Sequence, residues 1–518
     1  MLHRLVPDAP RALLALLAPA LGPLLPPIRS EIFGPERFAQ HGRSLGLTHQ
    51  AVRSRARAAD FFPRLRGNIV VLRSAHAYLG AREAGGDDIS PAAEWLLDNF
   101  HLIEAQLLAI HEGLPQRYFR QLPVLMDEPL AGLPRVYGVA WAFVAHTDSD
   151  FDDDLLVRYL TAYQESRELG LAETWALPTT LRVLLVENLR RLAERLATQK
   201  AAHALANLVC DRIQATPLAT LESVRQLLAL REVDGVWLSQ MALRLQDRVA
   251  GTGQPVPEPV LAWLQQALPE PSALQAQISA DQTADNLSVS NAVTSLRAIG
   301  DADWPDIVGR SSLLMQRMLG APLFAAEDNA TRDTTLHAIE RLARRHGLGE
   351  LAVAQALLAL MQPGPPGSAP LQVTAGHWLS GPGEPALARS LGLRPSRWRA
   401  WQRRWWPSLV LPVYLGALAG LTAALLALVL GGSGLGPWAA LLAGLLMLGP
   451  ASEAVVALVN RLVGESLRPQ HLPRLASEKA DGQRQAVAAL GQGRPQGDVR
   501  AVQGAQAEQG RVGQAGFT

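Results

Sequence analysis

Residues 90–115 read SPAAEWLLDNFHLIEAQLLAIHEGLP, and they decide the fold class. Ser90 before Pro91 is a helix start: a hydroxyl that accepts from a free N–H of the first turn, then a proline where no N–H is needed. Leu96, Phe100, Ile103, Leu107 and Ile110 recur in steps of four and three, the period that gathers apolar side chains on one helical stripe. Gly113 and Pro115 close the helix. The same grammar continues outward. Pro178 or Thr179 opens a long helix with Leu181, Leu185, Leu189, Leu192 and Leu196 inward and Arg190, Arg191, Glu194 and Arg195 outward. Between 335 and 361 the apolar positions are Ile339, Leu342, Leu351, Val353 and Leu357, with Gly347 and Gly349 dividing the run into two helices. Alternation rich in Val, Ile and Thr is nearly absent. The expected fold is all-α: a cytoplasmic region of antiparallel helices, a two-span transmembrane helical hairpin, and a disordered tail.

The hairpin is read from 408–463. Residues 408–430 (SLVLPVYLGALAGLTAALLALVL) carry no charge, and 23 residues at about 1.5 Å each span about 34 Å, enough for the hydrocarbon layer. A glycine-rich turn, 431–436, precedes 437–459, a second span interrupted by Glu453. Arg394, Arg397, Arg399, Arg403 and Arg404 crowd the entry, Arg461, Arg468 and Arg474 follow the exit, and the turn has no charge. Arginine on both outer flanks predicts both ends of the hairpin in the cytoplasm. Arg399, Trp401, Arg403, Arg404, Trp405 and Trp406, with Trp438 and Arg461, suit a membrane-interface belt of indoles at headgroup depth and guanidinium groups toward phosphate. The lipid bilayer is thus the expected partner. A buried hairpin in a soluble domain is the alternative, and it leaves the charge asymmetry unexplained. Glu453, an intramembrane carboxylate, is a functional candidate; the plain reading pairs it with a neighbouring helix.

The remaining segments are expected as follows: 1–30 an irregular N-terminal start, 31–250 a first helical block, 260–361 a second, 362–407 a linker with the Arg/Trp segment, and 476–518 a Gly/Gln/Ala/Arg-rich disordered tail. Residues 12–28 also resemble the apolar part of a targeting segment, but prolines at 7, 10, 19, 23, 26 and 27 interrupt this part of the chain. Across all 518 residues, 48 Lys and Arg meet 47 Asp and Glu, so a nucleic-acid partner is not expected. One cysteine, Cys210, excludes an intramolecular disulfide and any cysteine-built metal cage. Mean hydropathy, +0.07, is too low for a many-span carrier.

Chemistry is sparse. Asp148, Ser149 and Asp150 followed by Asp152, Asp153 and Asp154 invite a metal–nucleotide reading. The competing account is an acidic turn whose Thr147 or Asp150 caps a helix starting near 152. His101, Glu104 and His111 share a helix but lack further ligands. Cys210 sits among apolar neighbours as an inert thiol. Gln402 to Trp406 fails the QxxRW spacing, and no phosphate-binding loop or nucleophile set can be ordered. No catalytic, cofactor-binding or metal residue is assigned. Trp141, His146 and Asp148 mark either a contact surface or packing.

Seven ordered segments nevertheless resemble one family. They are Pro27 to Phe33 with Arg37 through His41, Ala92 to His101, Leu133 to Gly138 with Ala145 to Ser149, Thr179 to Arg182 with Val186 to Arg191, Ser290 to Arg297 before Asp303-Trp304, Ala330 to Asp333 before Ile339 to Arg341, and Leu458 to Leu462 before Leu472 to Leu475. Over residues 27–475 this set resembles the N-terminal region of bacterial cyclic β-1,2-glucan synthases. The resemblance implies an inner-membrane glycosyltransferase that builds cyclic β-1,2-glucan from UDP-glucose, with a divalent cation, through a glycosyltransferase family 84 domain. A C-terminal domain like the phosphorylases of glycoside hydrolase family 94 would control chain length. Those catalytic motifs have no counterpart positions here. The expectation is a chain ending before the transferase, by truncation or by a frameshift in its tail, and inert alone, its partners being the remaining synthase domains or a separate synthase subunit. The alternative is a stand-alone membrane-anchored scaffold or regulator of a separate synthase subunit.

Overall fold

The computed structural model describes residues 25–52, 61–113, 116–126, 129–215, 271–361, 373–393 and 397–466, with positions 220, 222, 243–244, 258–259 and 262. The readings of residues 1–24, 251–257, 362–372 and 467–518 lie outside the described residues. The chain forms two compact units, Met1–Gln316 and Arg317–Thr518.

In the first unit, α1 (Pro35–Thr48) is followed by β1 (Ala51–Val52), α2 (Phe61–Ala84), α3 (Pro91–Asp98), α4 (Phe100–Gly113) and the single turn α5 (Gln116–Phe119). Then come β2 (Val124–Leu125), α6 (Arg135–His146), α7 (Asp153–Ser166), α8 (Leu171–Ala215), α9 (Pro271–Asp301) and α10 (Trp304–Ser311), and α11 (Leu313–Leu319) crosses into the second unit. The strands pair antiparallel, Ala51 with Leu125 and Val52 with Val124, and are the only sheet among the described residues. The all-α expectation is met.

Three local readings are refined. The 90–113 run starts as expected, Ser90 Oγ accepting from the Ala93 N–H, but breaks at Asn99 into α3 and α4. The apolar stripe survives the break: Leu96, Ile103, Leu107 and Ile110 are buried. Pro178 does not open a helix. It lies inside α8, which begins seven residues earlier at Leu171. Proline cannot donate to the Thr174 carbonyl, yet this stretch is held from outside, because Leu171, Ala176 and Leu177 are buried and Glu173 is ion-paired to Arg135. The third correction concerns Arg190 and Arg191. They do not point outward but are buried, as are Leu181, Leu185, Leu189, Leu192 and Leu196. Helix α8 is enclosed because α2, α6, α9, α4 and α3 all pack on it. From 183 to 193 every residue of α8 is buried, so this stretch has no solvent face to give its polar residues.

Close crossing of α1 and α7 depends on glycine. A Cβ at Gly42 would lie 2.9 Å from the Tyr159 carbonyl oxygen and one at Gly46 2.6 Å from that of Tyr163. With no side chain there, Phe38 reaches Tyr159 (ring centroids 4.9 Å apart) and Phe143 (5.6 Å) in the core.

The second unit continues with α12 (Pro322–Ala325), α13 (Asn329–His346), α14 (Glu350–Leu360), α15 (Ala375–Leu379) and α16 (Glu384–Ser390). Gly347, with φ 68°, ends α13 in the left-handed conformation, and Gly349 caps α14, which is the division read at those glycines. Helices α17 (Arg397–Gly431) and α18 (Pro437–Ser466) form the C-terminal hairpin.

Candidate functional site

Two places collect the residues that the sequence singled out. The first is a polar centre buried at the middle of α8. Glu187 is 1 % exposed. Its carboxylate accepts from Arg64 (Nε 3.0 Å, Nη2 2.5 Å), Asn68 Nδ2 (3.0 Å), the Tyr137 hydroxyl (2.6 Å) and Arg191 Nη2 (2.6 Å). Burial alone raises the carboxyl's pKa, but the hydrogen bonds and charges of Arg64, Tyr137 and Arg191 outweigh it and hold Glu187 at about 2. Arg191 also donates to the Pro26 carbonyl (2.8 Å) and lies over the Trp141 ring, 4.9 Å from its centroid. Asn68 Oδ1 accepts from Arg190, whose other contact is Glu194.

One residue along α8 the network continues. Asn188 Oδ1 accepts the Ile28 N–H (2.6 Å), and its Nδ2 donates to Ser149 Oγ (2.8 Å). Asp148 and Ser149 close α6 in the left-handed region, φ 49° and 68°, a conformation that non-glycine residues hold only when their surroundings fix it. The fixing bonds are visible: Ser149 N–H to the Val144 carbonyl, Asn291 Nδ2 to the Asp148 carbonyl, and Ser288 Oγ to Asp148 Oδ1 (2.6 Å). Burial pushes the Asp148 carboxyl up, against Ser288 and Arg29. Asp285, also pushed up by burial, lies 3.3 Å from Arg29 and 3.1 Å from Arg195. The 25–33 segment is laced over this surface: Ser30 N–H bonds the Ala145 carbonyl, and His146 donates to the Glu31 carbonyl and stacks on Phe33, centroids 4.0 Å apart. Trp141, His146 and Asp148 are packing residues in this network.

Residues 26–33, 135–149, 187–191 and 288–291, which include parts of four of the segments that carry the family resemblance, therefore meet in one place, and what they build is a network of hydrogen bonds and ion pairs within the chain. Sequence reasoning placed Arg190 and Arg191 in solvent and missed Glu187 as a centre. The available signal was four charged or amide residues within the five positions 187–191, directly after the apolar run 183–186.

The acidic run divides in the structure. Asp152 caps α7, its Oδ1 accepting from the Leu155 N–H at 2.7 Å, two residues later than the expected Asp150. Asp153 and Asp154 occupy the first turn of α7 and face Arg310. Glu104 is bound by Arg73 in two hydrogen bonds (2.8 and 2.7 Å), and His101 bonds the Asp98 carbonyl. No group of three or more metal-ligating side chains occurs among the described residues. Cys210 is buried.

The second place is the hairpin. Leu411–Gly431 and Pro437–Leu462 are each long and apolar enough to cross a membrane. The Tyr414 hydroxyl donates to Asn460 Oδ1 (2.9 Å) at the open end, and Gly444 lies against Leu430 near the turn, where a Cβ would be 3.2 Å from Leu430 Cδ1. These pairs share one antiparallel register. Ala451, Val455 and Thr422 are buried in the hairpin, while leucines along both helices, among them Leu411, Leu428, Leu441, Leu445, Leu446 and Leu458, are exposed. Trp438 is 84 % exposed, Arg461 pairs with Glu465 at 2.9 Å, and Glu453 is exposed. Arg399, Trp401, Arg403, Arg404, Trp405 and Trp406 belong to the first turns of α17, continuous with the span; their side chains lie outside the described residues.

No family model matches the chain. Over 385 residues, 71 % of its length, it is 31 % identical to the cyclic beta-(1,2)-glucan synthase NdvB of Rhizobium meliloti (strain 1021). The matched stretch is 13 % of that protein, so the chain spans a small fraction of its relative's length.

Proposed function

Because the chain belongs to the cyclic β-(1,2)-glucan synthase family over this stretch, we propose that residues 25–466 are the membrane-tethered framework of such a synthase, not its transferase centre. The observation that carries this reading is the hairpin: two apolar helices packed on each other with leucine, valine and tryptophan left bare. Bare apolar surface of this extent calls for lipid or protein against it. The arginines before the first span and after the second, with none in the turn, support insertion into the bacterial inner membrane with both ends of the hairpin cytoplasmic. The first unit supports the framework role. Its Glu187 and Asp148 carboxylates are spent on arginine, amide and hydroxyl groups of the same chain, which supports fixed packing over groups held ready for substrate. UDP-glucose and a divalent cation would then bind the transferase machinery that this framework serves.

The test is expression of the full chain in bacterial membranes, followed by an alkaline carbonate wash and an assay of glucosyl transfer from UDP-glucose with Mg²⁺. The expected result is a chain that resists extraction and makes no β-1,2-glucan. Glucan synthesis by the purified chain overturns the framework reading; release by carbonate overturns the anchor.

A further inference from the structure

Between residues 408 and 459 the hairpin contains one acidic or basic side chain, Glu453. Eight residues, about 12 Å of helix rise, separate it from Arg461 at the expected membrane surface. A glutamate side chain is too short to bring its carboxylate out over that depth, as a long arginine or lysine does.

The partner helix offers it nothing. Ala451 and Val455 are buried against α17, and Glu453 is two positions from each, about 160° around the helix, so it faces away. The register set by Tyr414 with Asn460 and Gly444 with Leu430 puts Leu421 level with Glu453. The nearest hydroxyls are already used within their own helices: Thr422 donates to the Leu418 carbonyl and Ser452 to that of Gly449. Among the described residues Glu453 makes no hydrogen bond or ion pair.

Its surroundings are shaped for a helix. Leu442, Leu446, Gly449, Glu453 and Ala457 recur in steps of four and three, and all five are exposed. Gly449 and Ala457 flank the carboxylate one turn below and above, where small residues allow another backbone to come close. Pro450 removes the N–H that would have bonded the Leu446 carbonyl, which leaves a second acceptor on this stretch.

We propose that this face of α18 is the seat of a further membrane helix that carries a cationic side chain, arginine or lysine, at the depth of Glu453. Charge argues for that occupant over a second copy of the hairpin, which brings no cation at this depth and sets carboxylate against carboxylate in a symmetric pair. The proposal rests on the membrane reading of 408–463.

The experiment reconstitutes the full chain in phosphatidylcholine–phosphatidylglycerol vesicles and measures energy transfer from a label at Ser433→Cys to synthetic leucine–alanine spans of about 23 residues. One span carries a single arginine at the matching depth; its twin carries leucine there. The wild-type chain is expected to bind the arginine span about tenfold more tightly, the worth of one interhelical polar contact in lipid. Glu453→Leu abolishes that preference, and Glu453→Gln, which keeps the shape and the acceptor, reduces it. Equal binding of both spans by the wild type, in a chain that resists carbonate, sinks the proposal and leaves the anchor standing. Glu453-dependent self-association of the chain without added span also overturns it. A chain released by carbonate defeats the membrane reading first.

Discussion

Replacing Glu187 by glutamine tests whether the polar centre of α8 holds the first unit together. The substitution keeps the size of the side chain and removes its charge. The amide oxygen still accepts from Arg191, but the NH₂ group then faces a donor of Arg64, and the buried Arg191 loses its counter-charge. Two routes give the magnitude. The carboxyl sits at about 2 instead of 4.5. At about 1.4 kcal/mol per unit, its ionisation contributes about 3 kcal/mol to folding at neutral pH. Breaking a buried ion pair by removing one partner costs about 3–5 kcal/mol, which agrees. Because the folded value lies below the ordinary one, the stabilisation is complete above the unfolded carboxyl's pKa and disappears as pH falls through about 2. Urea unfolding of the full chain in detergent, followed by helical circular dichroism at pH 7, 4 and 2, reads both effects. Glu187→Gln is expected to be about 3 kcal/mol less stable at pH 7 and to converge with wild type toward pH 2. A difference at pH 7 within about 0.5 kcal/mol, the range of an ordinary surface change, refutes the reasoning.

Three other changes test local claims. Gly46→Ala places a methyl against the backbone of Tyr163, so α1 and α7 must separate; a loss of about 1–3 kcal/mol in thermal unfolding is expected, and no loss shows that the helices do not cross so closely. Asp152→Ala removes the cap of α7 and is expected to cost about 1 kcal/mol, whereas Asp152→Ser, which also caps, recovers most of it. Gly347→Ala meets no neighbouring atom, so only the left-handed backbone resists it; denaturant unfolding is expected to show a loss of about 1 kcal/mol, and a gain refutes the left-handed assignment.

How far the sequence could be read differs between the helices and the site. The stripe of Leu96, Ile103, Leu107 and Ile110, the start at Ser90-Pro91, the break at Gly347 and the two spans after residue 408 were all legible. Each rests on contacts within a few residues along the chain: a cap, a period of 3.6, a glycine free to turn left-handed, a run without charge. Such signals survive whatever the rest of the molecule does.

The polar centre was not legible for the opposite reason. Several of its partners are separated by more than a hundred residues, as in Arg64 with Glu187, Ile28 with Asn188 and Ser288 with Asp148. A helix carrying leucines on one side and arginines on the other reads as a surface helix until its neighbours are known. Only the packing of five helices around α8 turned Arg190 and Arg191 inward, and only that packing held Pro178 inside a helix instead of at its start. Glu453 shows the same division. Its place within an apolar span is a fact of the sequence, but the direction it faces is set by which side of α18 the first span covers. The sequence by itself determined the helices and the apolar hairpin, because those follow from local periodicity and hydropathy. The tertiary structure decided which charges are buried and what they bind, because burial is a property of the neighbours.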